Sequence, residues 1–246
     1  MAGRVGIFVY GVVAYVLFLA SFLYAIGFLD GQIVPKTIDS GEQAGVGFSV
    51  LIDVLLLGLF AVQHSVMARP AFKKWWTTIV PETIERSTYV LATSLVLFLI
   101  YWQWKPLPQV IWSVENSVAV AVIYGLFWLG WLIALVSTFL IDHFHLFGLK
   151  QTYYHLMNKK QADHEFLIPL FYRYVRHPLM VGFIMAIWAG STMSAGRLLF
   201  AGVVTVYILI AIQIEERDLV SHFGDQYREY QRQTPMIIPW RRPPKV

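Results

Sequence analysis

The side chains that could do chemistry in this 246-residue chain lie at the ends of long apolar runs. They come from four separate segments: His64; Asp142, His143 and His145; Arg176 and His177; and Glu215 and Glu216. Ionisable groups at a membrane are costly to bury without partners, so they usually serve a function. We therefore expect these segments to deliver their polar groups to one face of a membrane.

Arg176 begins the motif Arg176-His177-Pro178-x-x-x-Gly182. Proline suits the first turn of a helix, where its missing N–H is not needed. The free N–H groups of that turn, with Arg176 beside them, predict a binding site for a carboxylate or a phosphate. Gly182 lies one turn further on and would let a ligand approach the backbone. The alternative is an ordinary basic helix start at the cytoplasmic face.

Glu215 and Glu216 end the apolar stretch that this motif begins. Paired carboxylates at this position could bind an amino group or a sulfonium cation. The alternative is a solvated helix end, in which the glutamates pair with Arg217 or Arg228.

Composition and patterning place these residues in a membrane protein. Hydrophobic residues make up 57% of the chain and charged residues only 14%, whereas soluble domains contain about 25% charged residues. Apolar runs close to the length that crosses a bilayer cover residues 5–29, 44–67, 87–104 and 116–141. The third run ends in Tyr101, Trp102 and Trp104, as is typical of an interfacial aromatic belt.

The last apolar stretch, residues 178–214, is too long for one crossing and is interrupted by the glycine-containing segment 190–197. Two short helices joined by a tight turn fit it better. The polar tail from Glu215 onward predicts an interfacial helix that ends near Pro235 and Pro239. We expect an all-α integral membrane fold of five to six transmembrane helices, the last two a short helical hairpin, plus this interfacial helix.

The charges of the loops predict the orientation. Residues 30–43 carry a net charge of −2 and residues 69–86 a net charge of +2, while segment 142–177 has five Lys or Arg and the tail after Ile214 has six. Because basic loops remain in the cytoplasm, both termini are expected there, in a bacterial inner membrane. A net charge of only +4, spread over short loops, argues against a nucleic-acid partner.

The last third of the chain carries an ordered set of motifs. The Arg176 motif and the apolar hairpin are followed by Glu215-Glu216, Phe223-Gly224-x-x-Tyr227-x-x-Tyr230 and Pro235…Ile238-Pro239. This set, over residues 165–240, resembles the C-terminal signature of isoprenylcysteine carboxyl methyltransferase-like enzymes, which phospholipid methyltransferases share. Met180 stands where those enzymes usually have Tyr.

Further motifs extend the resemblance over nearly the whole chain. They are Gln63-His64-Ser65-x-Met67-Ala68-Arg69, Glu85-Arg86-x-x-Tyr89-Val90, Asp142-His143-Phe144-x-Leu146-Phe147-Gly148-Leu149-x-Gln151 and Tyr172-Arg173-Tyr174-Val175-Arg176-His177-Pro178. Together they resemble a narrower family, the membrane methanethiol S-methyltransferases that make dimethyl sulfide. The lipid bilayer and a small volatile thiol are the partners that this resemblance implies.

The resemblance implies that S-adenosyl-L-methionine is bound without a Rossmann domain and leaves as S-adenosyl-L-homocysteine. By analogy, Arg176 and the helix that starts at Pro178 hold the cofactor carboxylate. Glu215 or Glu216 holds its amino group, and Gly182 allows close packing.

Gln151, Tyr174 and His177 complete the cofactor site that the resemblance implies. Residues 1–246 would then form a single polytopic membrane domain. Its first four helices, within residues 1–141, would lie on the substrate side. Residues 142–246 would supply the cofactor-binding loop, the hairpin and the tail.

A methyl acceptor thiol must lose its proton, which needs a nearby base or positive charge because an aliphatic thiol has a pKa well above 7. His64 is the first candidate base, and Asp142, His143 and His145 form the second group. His64 could instead be an interfacial histidine that hydrogen-bonds a loop. The histidines at 143 and 145 could simply belong to a helix end.

Asp53 lies 11 residues before His64 in the second apolar run. This spacing is almost three helical turns, so the two side chains share a helix face but lie about 16 Å apart. We expect Asp53 to line an access path or to pair with a tyrosine such as Tyr10, Tyr15 or Tyr24. Tyr10 and Asp53 are thus the predicted substrate-lining residues.

The residues alone leave other functions open. The acceptor could be a lipid or a prenylcysteine, or the chain could be a non-catalytic membrane subunit or transporter. A haem or metal protein is disfavoured because the closest histidines, His143 and His145, face different sides of a helix. The chain also has no Cys, so no metal is expected.

Overall fold

A computed structural model describes residues 1–160 and 167–240. The helices in this part of the chain are α1 (Ala2–Asp30), α2 (Val46–Ala68), α3 (Pro70–Trp76), α4 (Glu82–Gln103), α5 (Ser117–Leu140), α6 (His143–Leu146), α7 (Leu149–Leu156), α8 (Pro178–Trp188), α9 (Ala195–Phe223) and α10 (Asp225–Gln233). Two short strands, β1 (Val110–Ser113) and β2 (Thr192–Ser194), pair with each other.

Five helices, α1, α2, α4, α5 and α9, are long and apolar enough to cross a membrane. Helices are expected here because a bilayer offers no water to the backbone, and a helix satisfies its own N–H and C=O groups. The predicted all-α integral membrane fold is confirmed. The four early apolar runs coincide with α1, α2, α4 and α5 to within a few residues.

The hairpin at the end of the chain is asymmetric. Helix α8 has 11 residues, so it rises about 16 Å, about half the thickness of a bilayer core. Helix α9 has 29 residues and passes through Glu215 and Glu216 instead of ending there. The predicted tail helix therefore begins later, at Asp225, after Gly224 with a φ of 59°.

The described chain divides into two compact units. The first consists of residues 1–111, 143–160 and 194–200, and the second of residues 112–142, 167–193 and 201–240. In the first unit, α1 packs against α4 and α7, and α2 packs against α4. In the second unit, α5 packs along α8.

Two aromatic residues are buried in the first unit, near the C-terminal end of α4. Trp104 is fully buried and donates through Nε1 to the carbonyl oxygen of Ile38, at 3.0 Å, and Tyr101 donates to the carbonyl oxygen of Ser21, at 3.1 Å. Trp102 is exposed. The predicted aromatic belt is therefore correct for Trp102 alone, because Tyr101 and Trp104 have polar partners inside the protein.

Glycines bring α5 and α8 into close contact in the second unit. A Cβ atom on Gly182 would lie 2.6 Å from both the Ala134 nitrogen and the Gly130 oxygen, and one on Gly130 would lie 2.7 Å from the Gly182 oxygen. Small residues that let helix backbones approach are a common basis of helix association in membranes. The Cβ side of Gly182 thus serves helix packing, and the expectation that this residue leaves room for a ligand stays a prediction.

The turn of the hairpin lies beside the start of α5. The Val114 N–H donates to the Ser191 oxygen, at 2.9 Å, just before α5 begins at Ser117. Since Gly182 faces Ala134 near the other end of α5, α8 and residues 189–191 together follow the length of α5.

Substituting Gly130 by Ala should destabilise the protein by about 1–3 kcal/mol, the usual cost of overpacking against atoms that cannot move. Gly125, on the same helix, has no atom within 4 Å of an added Cβ. Gly125→Ala is therefore the matched control and should leave stability unchanged or slightly improved. Thermal unfolding in detergent measures both variants, and equal melting temperatures would contradict the assigned packing role.

Candidate functional site

A buried ion pair joins the Arg176 motif to the glutamate pair. Arg176 lies just before α8 and donates from Nε to Oε1 of Glu216, at 2.6 Å, and from Nη2 to Oε2, at 3.1 Å. The two side chains are only 10% and 9% exposed. A bidentate contact of this kind is among the strongest ion-pair geometries in proteins.

Glu216 accepts two further hydrogen bonds. His177 Nε2 lies 3.0 Å from its Oε1, and the Gln231 side chain donates to Oε2 at 2.8 Å. Glu216 is thus neither solvated nor paired with Arg217 or Arg228, as the alternative interpretation held. Arg228 instead contacts Asp225, at 2.9 Å.

Arg176 also hydrogen-bonds to backbone oxygens at the end of α10. Its Nη1 donates to the carbonyl oxygens of Gln231 and Thr234. An arginine side chain has five N–H donors, and Arg176 therefore uses four of them on acceptors within the described residues. One N–H at Nη2 is left for a ligand.

The backbone at the start of α8 is occupied by the tail that follows α10. The N–H of Arg176 donates to the Pro235 oxygen, at 2.9 Å, and the N–H of His177 to the Met236 oxygen, at 3.1 Å. Pro178 is the first residue of α8 and has no N–H to offer. Arg176, His177 and Pro178 therefore offer no free backbone N–H to an anion, and the predicted anion site in the turn that follows stays a prediction.

Glu215 occupies a different environment from its neighbour. Its side chain is 47% exposed, and its Oε2 lies 3.7 Å from His177 Nδ1. Glu215 and His177 line a cavity of about 200 Å³ whose walls also include Tyr172, Leu179, Met180, Leu219, Phe223 and Tyr227. The glutamate available to a ligand is thus Glu215.

The tyrosines of this cavity remain un-ionised at neutral pH. Burial raises the pKa of Tyr172, and the nearby Glu215 carboxylate raises it further. Burial likewise raises the pKa of Tyr227, with Glu216 adding to the effect. Both groups therefore present an O–H and an aromatic face rather than a negative charge.

Two other residues of the implied cofactor site lie elsewhere. Tyr174 is exposed and is not among the residues that line the cavity. Gln151 is buried in the first unit, where its Nε2 donates to the His145 oxygen, at 3.0 Å. Its Oε1 has no hydrogen-bond partner in the described part of the chain.

The first candidate base, His64, contacts side chains of α4. The Tyr89 hydroxyl oxygen lies 2.9 Å from Nδ1 and 3.0 Å from Nε2, and the Thr93 hydroxyl oxygen lies 3.4 Å from Nδ1. Phe60 stacks on the imidazole ring, with 5.1 Å between centroids. The alternative in which His64 hydrogen-bonds a loop is therefore wrong, since these partners lie within a membrane-spanning helix.

The second candidate group is spread over a turn and a short helix. Asp142 occupies the turn after α5 with a φ of 78°, and His143 and His145 belong to α6. His143 is buried, its Nε2 lies 2.8 Å from the Tyr15 hydroxyl, and Phe147 packs on its ring. Burial lowers the pKa of His143, so this histidine is neutral at pH 7.

The predicted pairing of Asp53 with a tyrosine is wrong. Asp53 is fully buried and accepts the backbone N–H of Lys105, at 2.9 Å, while its Oδ2 has no partner among the described residues. Tyr10, Tyr15 and Tyr24 contact Thr88, His143 and the Lys36 oxygen, respectively. The sequence could not reveal this, because the partner of Asp53 is a backbone group that any residue type provides.

Several residues of the C-terminal site were not singled out from the sequence. Gln231, Thr234 and Met236 contribute to the arrangement around Arg176. Pro235 stands in the C-terminal signature and near the predicted end of the interfacial helix, but neither pattern predicts its contact with the Arg176 N–H. In the described residues, no group of three or more His, Cys, Asp or Glu could hold a metal ion.

Comparisons with known proteins show which family and which proteins the chain is similar to. A family model described as NnrU protein matches residues 52–239. Methanethiol S-methyltransferase 1 of Bradyrhizobium diazoefficiens is 52% identical over 235 residues, which cover 96% of this chain and 82% of that protein. Methanethiol S-methyltransferase of Mycobacterium tuberculosis is 52% identical over 232 residues, or 94% and 95%.

A more distant relative is Nurim of Mus musculus, which is 32% identical over 180 residues, covering 70% of this chain and 68% of that protein. No solved structure matches the chain.

The two glutamates should differ sharply in their effect on stability. Glu216→Ala leaves the buried Arg176 and His177 without their acceptor and should cost about 3–5 kcal/mol. Glu215→Ala removes a half-exposed carboxylate and should cost less than about 1 kcal/mol. Thermal unfolding of the purified variants compares them, and equal losses would contradict the different environments described above.

Proposed function

The chain belongs to the NnrU protein family, and we propose that it is a methyltransferase that methylates methanethiol to dimethyl sulfide. The observation that carries this proposal is 52% identity, over nearly the whole chain, to bacterial proteins that bear this activity in their names. The matched regions include both the His64 segment and the Arg176–Glu216 cluster.

The methyl donor in this proposal is S-adenosyl-L-methionine. When bound, it supplies a methyl group on a positively charged sulfur and leaves as S-adenosyl-L-homocysteine. The cavity of the second unit suits part of such a molecule, because Glu215 offers a carboxylate and Tyr172, Phe223 and Tyr227 offer aromatic surface to a cation. Its volume of about 200 Å³ is below the usual range for whole ligands, which favours the amino-acid end.

The two glutamates then have separate tasks. Glu215 pairs with the amino group of the donor. Glu216 holds Arg176 and His177, and His177 lies between the two carboxylates, 3.0 Å from Glu216 and 3.7 Å from Glu215. Arg176 acts mainly by keeping α8, α9 and α10 together, with one N–H left for the donor carboxylate.

The remaining implied contacts extend this proposal. Pro178 places the first turn of α8 against the cavity wall that Leu179 and Met180 form. Gln151 and Tyr174 do not line this cavity, so their role in binding the donor rests on the resemblance alone.

On the acceptor side, His64 is the proposed base. The thiol proton passes to His64, the sulfur forms a bond to the methyl carbon, and the bond between that carbon and the donor sulfur breaks. A sulfonium and a thiolate both lose their charge in this step, so weakly polar surroundings favour it. Asp142, His143 and His145 remain the second candidates, and Tyr10 and Asp53 remain candidate lining residues.

The proposed location is a bacterial inner membrane with both termini in the cytoplasm. This orientation is supported by the basic residues of segments 69–86 and 142–177 and of the tail, against the acidic segment 30–43. The relatives of about half identity from Bradyrhizobium and Mycobacterium support a bacterial setting.

Purified protein with methyl-labelled S-adenosyl-L-methionine should convert methanethiol to labelled dimethyl sulfide. Prenylcysteine and phosphatidylethanolamine, offered separately, should remain unlabelled. Labelled lipid or prenylcysteine without dimethyl sulfide would refute the proposed acceptor, and no labelled product from any of the three would refute the proposed activity.

Glu215→Gln should weaken binding of S-adenosyl-L-methionine by roughly tenfold or more, because the variant loses a charge-assisted contact worth about 1.5–3 kcal/mol. Equilibrium binding of labelled cofactor measures the effect. Asp225→Asn is a suitable control, since Asp225 is a solvent-exposed carboxylate that contacts Arg228. Unchanged affinity in Glu215→Gln would exclude this glutamate as the amino-group partner.

A further inference from the structure

Arg86 is a half-buried cation whose charge has no partner in the described structure. It lies in the first turns of α4, and its Nε donates to the Leu146 oxygen, at 2.7 Å. Within the described residues, no acceptor hydrogen-bonds its Nη1 or Nη2. Four N–H donors in a fixed planar arrangement therefore remain available to an anion.

The guanidinium of Arg86 lies over a tyrosine that contacts His64. Its central carbon is 5.0 Å from the centroid of the Tyr89 ring, and the Tyr89 hydroxyl lies within 3.0 Å of the His64 imidazole. Cation, phenol and imidazole thus form one continuous cluster.

The Tyr89 hydroxyl lies within hydrogen-bond reach of both ring nitrogens of His64, 2.9 Å from Nδ1 and 3.0 Å from Nε2. The Thr93 hydroxyl has a single proton, which it donates to the Tyr89 carbonyl oxygen, at 2.9 Å. Toward His64 Nδ1, at 3.4 Å, Thr93 can therefore only accept. Nδ1 thus reaches two hydroxyl oxygens, whereas Nε2 reaches that of Tyr89 alone among the described residues.

We propose that Arg86, Tyr89 and His64 form the thiol acceptor site, in which Arg86 binds the thiolate and Tyr89 links the thiol to His64. This inference rests on the proposed methylation of a thiol. The S–H proton moves to the Tyr89 oxygen as the Tyr89 proton moves to the His64 imidazole, so a thiolate and an imidazolium are formed. The thiolate sulfur then takes the methyl group, and the imidazolium returns its proton to solvent.

The surroundings of Arg86 favour an anion such as a thiolate. Phe60 stacks on the imidazole and Tyr89 is buried, while His64 and Arg86 are partly buried. A positive charge in such partly buried surroundings stabilises an anion more strongly than it would in water.

Arg86→Gln tests the proposal, because glutamine can still donate to the Leu146 oxygen but carries no charge. The pH dependence of kcat reports groups that ionise in the enzyme–substrate complex. Without the charge, the rising limb of the kcat profile for methanethiol should move to higher pH by about one unit, which is about a tenfold loss near neutrality. Arg86→Lys should retain most of the original profile.

Tyr89→Phe removes the link between thiol and imidazole without removing the charge. It should lower kcat at every pH at which the thiol still needs a base, while the KM for S-adenosyl-L-methionine stays unchanged. Lys74→Ala, which removes an exposed cation of α3, is the matched control and should leave the profile unaltered. Binding of labelled cofactor by each variant shows that it is folded.

The outcomes separate this inference from the proposed function. If the unmodified protein makes no dimethyl sulfide, the proposed function fails. If it does, but Arg86→Gln keeps both the kcat and the position of the rising limb, the acceptor site is wrong. A raised KM for S-adenosyl-L-methionine with an unmoved limb would assign Arg86 to the donor carboxylate and also overturn the proposal.

Discussion

The ion pair between Arg176 and Glu216 is the interaction on which the second unit depends. Removing two charges from water is costly, and only close geometry with further hydrogen bonds offsets that cost. Both conditions are met here, because Glu216 receives bonds from Arg176, His177 and Gln231, while Arg176 also reaches the Thr234 oxygen. The start of α8, the last third of α9 and the end of α10 are therefore held at one point.

This arrangement explains why adjacent glutamates differ in chemistry. On a helix, neighbouring residues point about 100° apart, so only one of the two can face the arginine. Glu216 does so and becomes part of the framework, whereas Glu215 turns to the cavity beside Tyr172 and Phe223. A motif of two identical residues thus contains one structural carboxylate and one available carboxylate.

The first unit shows a second way of using polar groups in an apolar helix. His64 on α2 hydrogen-bonds with the Tyr89 and Thr93 hydroxyls of α4. The Arg86 guanidinium, also on α4, lies over the Tyr89 ring but keeps N–H donors for which no described residue is an acceptor. Asp53, elsewhere on α2, is instead held by a backbone N–H. Helix α2 therefore carries two kinds of polar side chain. Asp53 binds a backbone N–H just after α4, whereas His64 belongs to a cluster in which some N–H donors are unused.

The sequence by itself determined the membrane-spanning helices, because runs of about 20 apolar residues have no other stable form in a bilayer. It also identified the polar segments, including Arg176, His177 and both glutamates. It could not say that Pro235 and Met236 cover the backbone of Arg176 and His177, that Gly182 faces α5, or that Lys105 partners Asp53. Those contacts join residues far apart in the chain through backbone atoms common to all residue types, and only the tertiary structure decided them.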